Sequence, residues 1–178
     1  GEHVTIIGAG AIGIMAGLLA KIYGAVPILV DVDKGRLDIA RSCGISHVLL
    51  EGSTTDVENE IRQITKGRMS ETVIEASGTA PGIKNALRYA ACTGRIALVG
   101  WPNQEVSLNT LQITVKELEL IGSRTSLNDL PECLQLISTG KIDVSKLISR
   151  VIPFEELPEA VRNLANDPSS YLKIVALR

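Results

Sequence analysis

The chain has 178 residues and a mass of 19.0 kDa, one ordinary domain with enough length for a sizeable core. Lys and Arg number 18 against 20 Asp and Glu, a formal charge of −2, and only 3% of residues are aromatic. That combination excludes a phosphate-backbone binder and a stacking platform for single strands, while 45% hydrophobic residues and 16 glycines exclude disorder.

In chain order, His3 to Ile7 reads as a short buried strand. Gly8 to Gly13 then opens a helix to about Tyr23, with Ile12, Met15, Ala16, Leu19 and Tyr23 sharing one face. Val26 to Val30 is a second strand ending at Asp31. Asp33 is the expected N-cap of a helix from Lys34 to Cys43, with Gly44 as its stop. His47 to Leu50 is a third strand. Thr55 and Glu58 form a capping box for a helix with Val57, Ile61 and Ile64 on one side. Thr72 to Ala76 is a fourth strand, and Pro81 and Gly94 bracket a helix carrying Ile83, Leu87 and Ala90. Arg95 to Val99 makes a fifth strand, Thr110 to Lys116 a short helix, and Glu117 to Gly122 a sixth strand.

Strands alternating with helices, without hairpin signals, predict an α/β chain: a six-stranded parallel, doubly wound Rossmann sheet with helices on both faces. This unit is expected to cover residues 1–124. Residues 125–178 form a C-terminal return segment: helix Asn128 to Thr139 closed by Gly140, strand Ile148 to Phe154, helix Glu155 to Asn166 through Leu157, Val161 and Leu164, and strand Leu172 to Leu177. The segment is too small for its own core. It is expected to pack on the Rossmann unit or on a further domain.

Gly8-Ala9-Gly10-Ala11-Ile12-Gly13 is GxGxxG placed after a strand and before a helix. Gly8 permits the tight turn, Gly10 lets backbone approach a pyrophosphate, and Gly13 lets helix pack on strand. The helix N-terminus presents amide donors and partial positive charge to an anion. Without a ligand the same residues would form an ordinary strand-to-helix turn; the placement favours dinucleotide binding. Asp31, 18 residues after Gly13, is placed to accept from ribose hydroxyls and to repel a 2′-phosphate, which favours NAD over NADP. Arg36 can serve a 2′-phosphate or lie along the ribose; beside Asp31 the second role is preferred.

Ligands of such sheets sit at the carboxyl ends of the strands. Ala76-Ser77-Gly78, Val99-Gly100-Trp101 and Ser123-Arg124 occupy those ends, where small residues admit a nicotinamide or simply make turns. Trp101 is either a pocket wall or a packed loop residue. Lys173 reaches a pyrophosphate or is merely solvated.

Cys43, Cys92 and Cys133 are widely spaced, odd in number and joined only by His3 and His47 as further metal ligands. No zinc or disulfide framework is expected, and a reducing cytoplasm is. The uncharged run from Val4 to Ala20 is too short and too glycine-broken for a membrane span, and Gly1-Glu2-His3 lacks the positive flank of a signal peptide. Because Gly1 is not Met, the chain is expected to be an excised or processed fragment.

The stretches VTIIGAGAIG, VDVDKGRL, VIEASG, GRIALVG, KELELIGSR and ISTGKIDVSKLISRVIPFEELPEAV resemble zinc-containing medium-chain alcohol and polyol dehydrogenases of the sorbitol and threonine dehydrogenase kind. The resemblance runs from Val4 to Val175. It implies that Ile12, Asp31, Arg36, Val99 to Trp101 and Ser123-Arg124 contact NAD. Ala11 stands where many members carry proline. The family's catalytic zinc, held by Cys, His and Glu of an N-terminal domain, has no matching motif here, nor has its structural-zinc cluster. The resemblance therefore implies the NAD-binding half of an enzyme that oxidises a secondary alcohol of a small polyol, sugar acid or similar substrate. Zinc would lie only in the absent domain, no residue here would be catalytic or metal-ligating, and the fragment alone would be inactive. It also implies a homodimer through the Glu117–Ile121 edge strand, with neither nucleic acid nor membrane as partner. The rivals are a stand-alone nucleotide-sensing Rossmann module, a zinc-free quinone reductase of the same superfamily and, further off, a methyltransferase.

Overall fold

Ile6 and Ile7 are consecutive in the chain yet belong to different cores, because successive side chains of a strand point to opposite faces of its sheet. The computed structural model describes residues 1–52, 54, 56–167 and 169–178. Its elements are β1 (His3–Ile7), α1 (Ala11–Ile22), β2 (Val26–Asp31), α2 (Lys34–Ser42), β3 (His47–Leu50), α3 (Val57–Ile64), β4 (Ser70–Glu75), α4 (Ala80–Tyr89), β5 (Ala90–Leu98), α5 (Thr110–Lys116), β6 (Glu119–Gly122), α6 (Leu130–Ser138), β7 (Arg150–Pro153), α7 (Leu157–Asn166) and β8 (Ile174–Leu177). Single 3-10 turns lie at Ser145–Leu147 and Phe154–Glu156.

Strands β1 to β6 form one parallel sheet in the order β3-β2-β1-β4-β5-β6. One face packs Ile7, Ile28, Val30, Val73 and Ile96 against α3 and α4 through Val57, Ile61 and Leu87. The other packs Val4, Ile6, Leu29 and Val48 against α1 and α2 through Ile14, Leu37 and Ala40. The strand order reverses between β1 and β4, so the crevice at their carboxyl ends is the switch point where such sheets take ligands. Strands β7 and β8 pair with each other, parallel, in a separate two-stranded sheet.

The six-stranded α/β architecture is the one the sequence pattern predicts, with instructive local differences. The buried residues of α1 are Gly13, Ile14 and Gly17, whereas Ile12 and Tyr23 are 63% and 67% exposed. Met15 and Ala16 of the expected stripe pack on the core, but glycines beside Ile14 mark its closest approach: a Cβ on Gly13 would stand 1.8 Å from the Gly8 carbonyl oxygen, and one on Gly17 2.7 Å from Ile45 Cδ1.

Helix α4 does not run to Gly94. It ends at Tyr89, and Ala90 passes straight into β5, with Gly94 lying inside that strand at a register irregularity between the Ser70 and Thr72 pairings. Lys116 takes the place of a glycine cap: its Nζ donates to the carbonyls of Leu87, Arg88 and Ala90 at 2.8, 3.0 and 2.8 Å. These carbonyls have no partner within the helix, and a cation suits the negative end of its dipole.

Glu117 lies outside β6. It closes α5 in the left-handed conformation at φ 52, so the edge strand starts at Glu119. Phe154 begins a 3-10 turn instead of ending β7, and β8 begins at Ile174 rather than Leu172. The Thr55 half of the expected capping box lies outside the described residues; Asp56 caps α3 by accepting from the Glu58 and Asn59 amides. Asp33 caps α2 as expected, accepting from the Arg36 amide at 3.2 Å. Among the described residues no helix is long and apolar enough to cross a membrane.

Candidate dinucleotide site

The chain leaves β1 through Gly8 at φ +105, a backbone conformation that L side chains rarely adopt. Gly10 is the N-cap of α1 and has no side chain to bond the helix's first amides, the first helical bond being Ile14 N–H to the Gly10 carbonyl at 3.0 Å. The N–H groups of Ala11, Ile12 and Gly13 are therefore the donors that a helix N-terminus leaves over. A Cβ on Gly10 would meet nothing within 4 Å, so the backbone is open there to a ligand. The turn thus fits a pyrophosphate.

Asp31 ends β2 beside this turn, 9% exposed. Its Oδ2 accepts from the Ala9 amide at 2.5 Å and its Oδ1 from the Asp33 amide at 2.8 Å. The carboxylate thus fixes the glycine turn as well as facing the cleft, and it keeps acceptor capacity for a further donor. Arg36, in the first turn of α2, lies 3.9 Å from Asp33 in an ion pair. Burial acts to raise the Asp33 pKa, but hydrogen bonds from the Arg36 backbone, the Ser169 side chain and the Gly35 backbone, with the Arg36 charge, hold it below the ordinary value.

Asp31 and Gly8 line a cleft of about 110 Å³ with Ile7, Val30, Glu51 and Ser77. Apolar walls with a few polar groups are the usual make-up of a small-molecule site. Val32 in its lining stands 75% exposed, and Ile12 in the first turn of α1 63% exposed, large apolar surfaces without cover.

Beyond the cleft, the loops after β4 and β5 touch backbone to backbone. A Cβ on Gly100 would lie 2.1 Å from the Gly78 amide nitrogen, and one on Gly78, which has φ +66, 2.7 Å from the Trp101 carbonyl oxygen. Ala76-Ser77-Gly78 and Val99-Gly100-Trp101 therefore come together, and their glycines are required by each other before any ligand is considered. Arg124, after β6, stacks on Trp101 with its guanidinium carbon 4.9 Å from the ring centroid. Ser123 and Arg124 are exposed at the same sheet edge, the Ser123 amide donating to the Leu98 carbonyl at 2.9 Å. Lys173 is exposed along α7, where it lines a groove with Leu157 and Leu164, apart from the glycine turn.

Two residues of this edge carry no mark in the sequence reading. Glu75, fully buried at the end of β4, accepts from the Ser77 amide at 2.9 Å, from the Ser77 hydroxyl, and from the Gly78 amide at 3.1 Å. It holds the loop after β4 in shape. Glu51, just past β3, reaches the cleft and accepts from the Tyr89 hydroxyl at 2.5 Å. Their signal was positional only: each carboxylate stands at the carboxyl end of a strand.

Among the described residues no three His, Cys, Asp or Glu side chains converge to hold a metal ion. The residues present do not fit a zinc site, and zinc chemistry is assigned to none of them.

The model of the zinc-binding dehydrogenase family matches residues 11–139. A zinc-type alcohol dehydrogenase-like protein of Haemophilus influenzae is 50% identical over 99% of this chain and 52% of its own length. Sorbitol dehydrogenase of Bacillus subtilis is 28% identical over 98% of this chain and 50% of its own length. An alcohol dehydrogenase structure from Escherichia coli, solved with NADH, superposes with a TM-score of 0.88 at 26% identity, covering 99% of this chain and 52% of that one. The chain spans about half the length of the curated relatives it matches. With the family model covering the greater part of the sequence, and the sheet and glycine turn built as described, this chain belongs to the zinc-binding dehydrogenase family.

Proposed function

We propose that this chain is the NAD-binding part of a dehydrogenase that oxidises a secondary alcohol of a small polyol, sugar acid or similar compound. One observation carries the reading: Gly8, of the turn that leads into the uncapped N-terminus of α1, and the Asp31 carboxylate line the same cleft, with the Asp31 carboxylate bonded to the Ala9 amide of that turn. Amide donors for a pyrophosphate and an acceptor for ribose hydroxyls are what a dinucleotide requires. The adenosine half would lie between Asp31 and Ser77, and the nicotinamide half toward Val99, Trp101 and Arg124. NAD, when bound, supplies a ring that accepts hydride. This chain's residues orient it: the α1 amides hold the phosphates, Asp31 accepts from the ribose, and Trp101 with Arg124 borders the far end. The NADH-bound Escherichia coli relative supports the cofactor, and the sorbitol dehydrogenase relative supports the substrate class. Zinc and the alcohol pocket are assigned to the remainder of the longer protein, so this chain alone is expected to oxidise no alcohol. The free cysteines fit a cytoplasmic protein.

Titration calorimetry tests this. The chain binds NADH more tightly than NADPH, and Asp31→Ser narrows the gap by about 1–3 kcal/mol as a charged hydrogen bond and a repulsion are lost. Tighter binding of NADPH to the unaltered chain contradicts the assignment.

We further propose that two copies pair through β6. It is the edge of the sheet, and Ile121 on it is 49% exposed. The Ser123 amide donates inward to β5, so by alternation the Leu120 amide faces the open edge. An unpaired edge is a template for a second strand, and a two-fold axis needs only one such patch. Leu120→Pro removes the outward amide without cutting the ladder to β5. Light scattering should give a dimer for the unaltered chain and a monomer for this variant; a monomer for both rules the edge out.

A further inference from the structure

The cleft holds two carboxylates, and the site as read above uses only one. Glu51 follows β3, and its amide donates to the Asp31 carbonyl at 2.9 Å, which fixes it one strand away from Asp31. Its side chain is not left to wander in solvent. Tyr89 of α4, 1% exposed, donates its hydroxyl to Glu51 Oε2 at 2.5 Å. Burial, followed by the hydrogen bond to Glu51 and its charge, pushes the Tyr89 pKa well above the ordinary value. The phenol therefore stays protonated and remains a donor through the whole working range of pH. A tyrosine buried among Val57, Ile61 and Leu87 is an unmoving support for the carboxylate it holds.

A carboxylate only accepts hydrogen bonds, and two oxygens offer about four lone-pair sites, of which Tyr89 uses one. The cleft around Glu51 is otherwise apolar on its flanks, with Val30, Val32 and Pro81, while Asn85 adds a side-chain amide to the lining. A cleft with apolar side chains, an anchored acceptor and an amide in its lining suits a planar heterocycle that carries an amino group at its edge.

We propose that Glu51, held by Tyr89, is a specificity residue that accepts a hydrogen bond from the exocyclic amine of the adenine ring. The inference rests on the dinucleotide reading of this cleft and adds to it a choice of base. A 6-amino purine presents a donor to Glu51. A 6-oxo purine presents a carbonyl oxygen, and two acceptors then face each other in a partly dehydrated site, which is costly.

The test compares NAD with nicotinamide hypoxanthine dinucleotide, in which a carbonyl replaces that amine and the adjacent N1 carries a proton, by titration calorimetry on the 178-residue chain. The unaltered chain should bind the hypoxanthine form about tenfold or more weakly. Glu51→Gln keeps an acceptor for Tyr89 and places an amide donor at the other position, so it should erase or invert the preference. Tyr89→Phe should reduce it by freeing the carboxylate, with the unliganded melting temperature of both variants measured alongside. A base preference left unchanged by Glu51→Gln overturns the proposal. So does an equal loss of affinity for both dinucleotides, which is what a purely structural Glu51 would give. Failure of the unaltered chain to bind either dinucleotide counts against the dinucleotide reading itself, and is thereby distinct.

Discussion

The six-stranded sheet and the segment after Gly122 are folded from the same kinds of residue, yet they stand in different relations to water. In the sheet half, Ile6, Ile14, Ile28 and Leu29 are wholly buried between strands and helices. In the tail, Leu130 and Leu134 of α6 and Val161 of α7 are 67%, 57% and 57% exposed, although each helix has an apolar side. Only isolated positions such as Leu136, Ile152 and Ala160 are covered there. An amphipathic helix whose apolar side meets water is not completed by the core beneath it. The sheet half builds most of its core itself, with Leu147 and Leu172 of the tail packing onto the α1–α2 side, whereas α6 and α7 keep apolar side chains exposed.

Substitutions should separate the two regions. The largest effect is expected at Gly13, where a methyl group would drive into the Gly8 carbonyl at 1.8 Å. Backbone cannot give way as a side chain can, so Gly13→Ala should cost about 3 kcal/mol or more and abolish NADH binding. Urea denaturation followed by circular dichroism, with calorimetry on any folded fraction, measures both. Next, Ile96→Ala, at 1% exposure, should cost about 2–5 kcal/mol, whereas Val161→Ala in the tail should stay within about 0.5 kcal/mol. Equal losses at the two positions would mean that the tail is as well packed as the sheet.

The smallest effect concerns acid. Glu71 is also pulled below its ordinary value: burial raises it, but hydrogen bonds from the His3 and Glu71 amides and the charges of Arg68 and His3 outweigh that. Glu71 and Asp33 are carboxylates with depressed folded-state values. Their contribution is therefore complete above the ordinary values of 4.5 and 3.8 and is lost as pH falls through the lowered ones. The melting temperature should hold between about pH 7 and 5 and decline below about 4, more gently in a Glu71→Gln, Asp33→Asn double variant. An unchanged acid limb in that variant would place the acid sensitivity elsewhere.

The sheet was legible because its signals are local. Apolar runs such as Val26 to Val30 and caps such as Asp33 act within a few residues, and the order of strands follows from right-handed crossovers. What escaped depends on contacts distant in sequence. Gly94 looked like a helix stop because nothing in the local pattern announces that Lys116 would cap α4 from 26 residues beyond Ala90. The packing side of α1 was legible in part: Met15 and Ala16 of the expected stripe pack on the core, but its buried centre is Gly13, Ile14 and Gly17, and an apolar stripe does not register glycine. Glu117 resembled strand until its left-handed backbone set it at the end of α5. In the candidate site, the turn through Gly8, Gly10 and Gly13 and the Asp31 strand end could be read because they lie within a few residues of β1 and β2 and have a fixed spacing. Glu75 and Glu51 could not, since their partners Ser77, Gly78 and Tyr89 become neighbours only once the strands are side by side.

The central claim is that a dinucleotide lies across the carboxyl edge, from Asp31 to the Trp101–Arg124 pair. Trp101 is the chain's single tryptophan and is 67% exposed, so its fluorescence reports on that far end alone. The most direct measurement is a titration of Trp101 emission with NADH and, separately, with AMP, each checked for binding by calorimetry. NADH should quench the emission saturably, with matching sensitised emission from its nicotinamide ring, whereas AMP should bind near Asp31 and leave Trp101 unchanged. NADH that binds without altering Trp101, or AMP that quenches it as fully, would contradict the account.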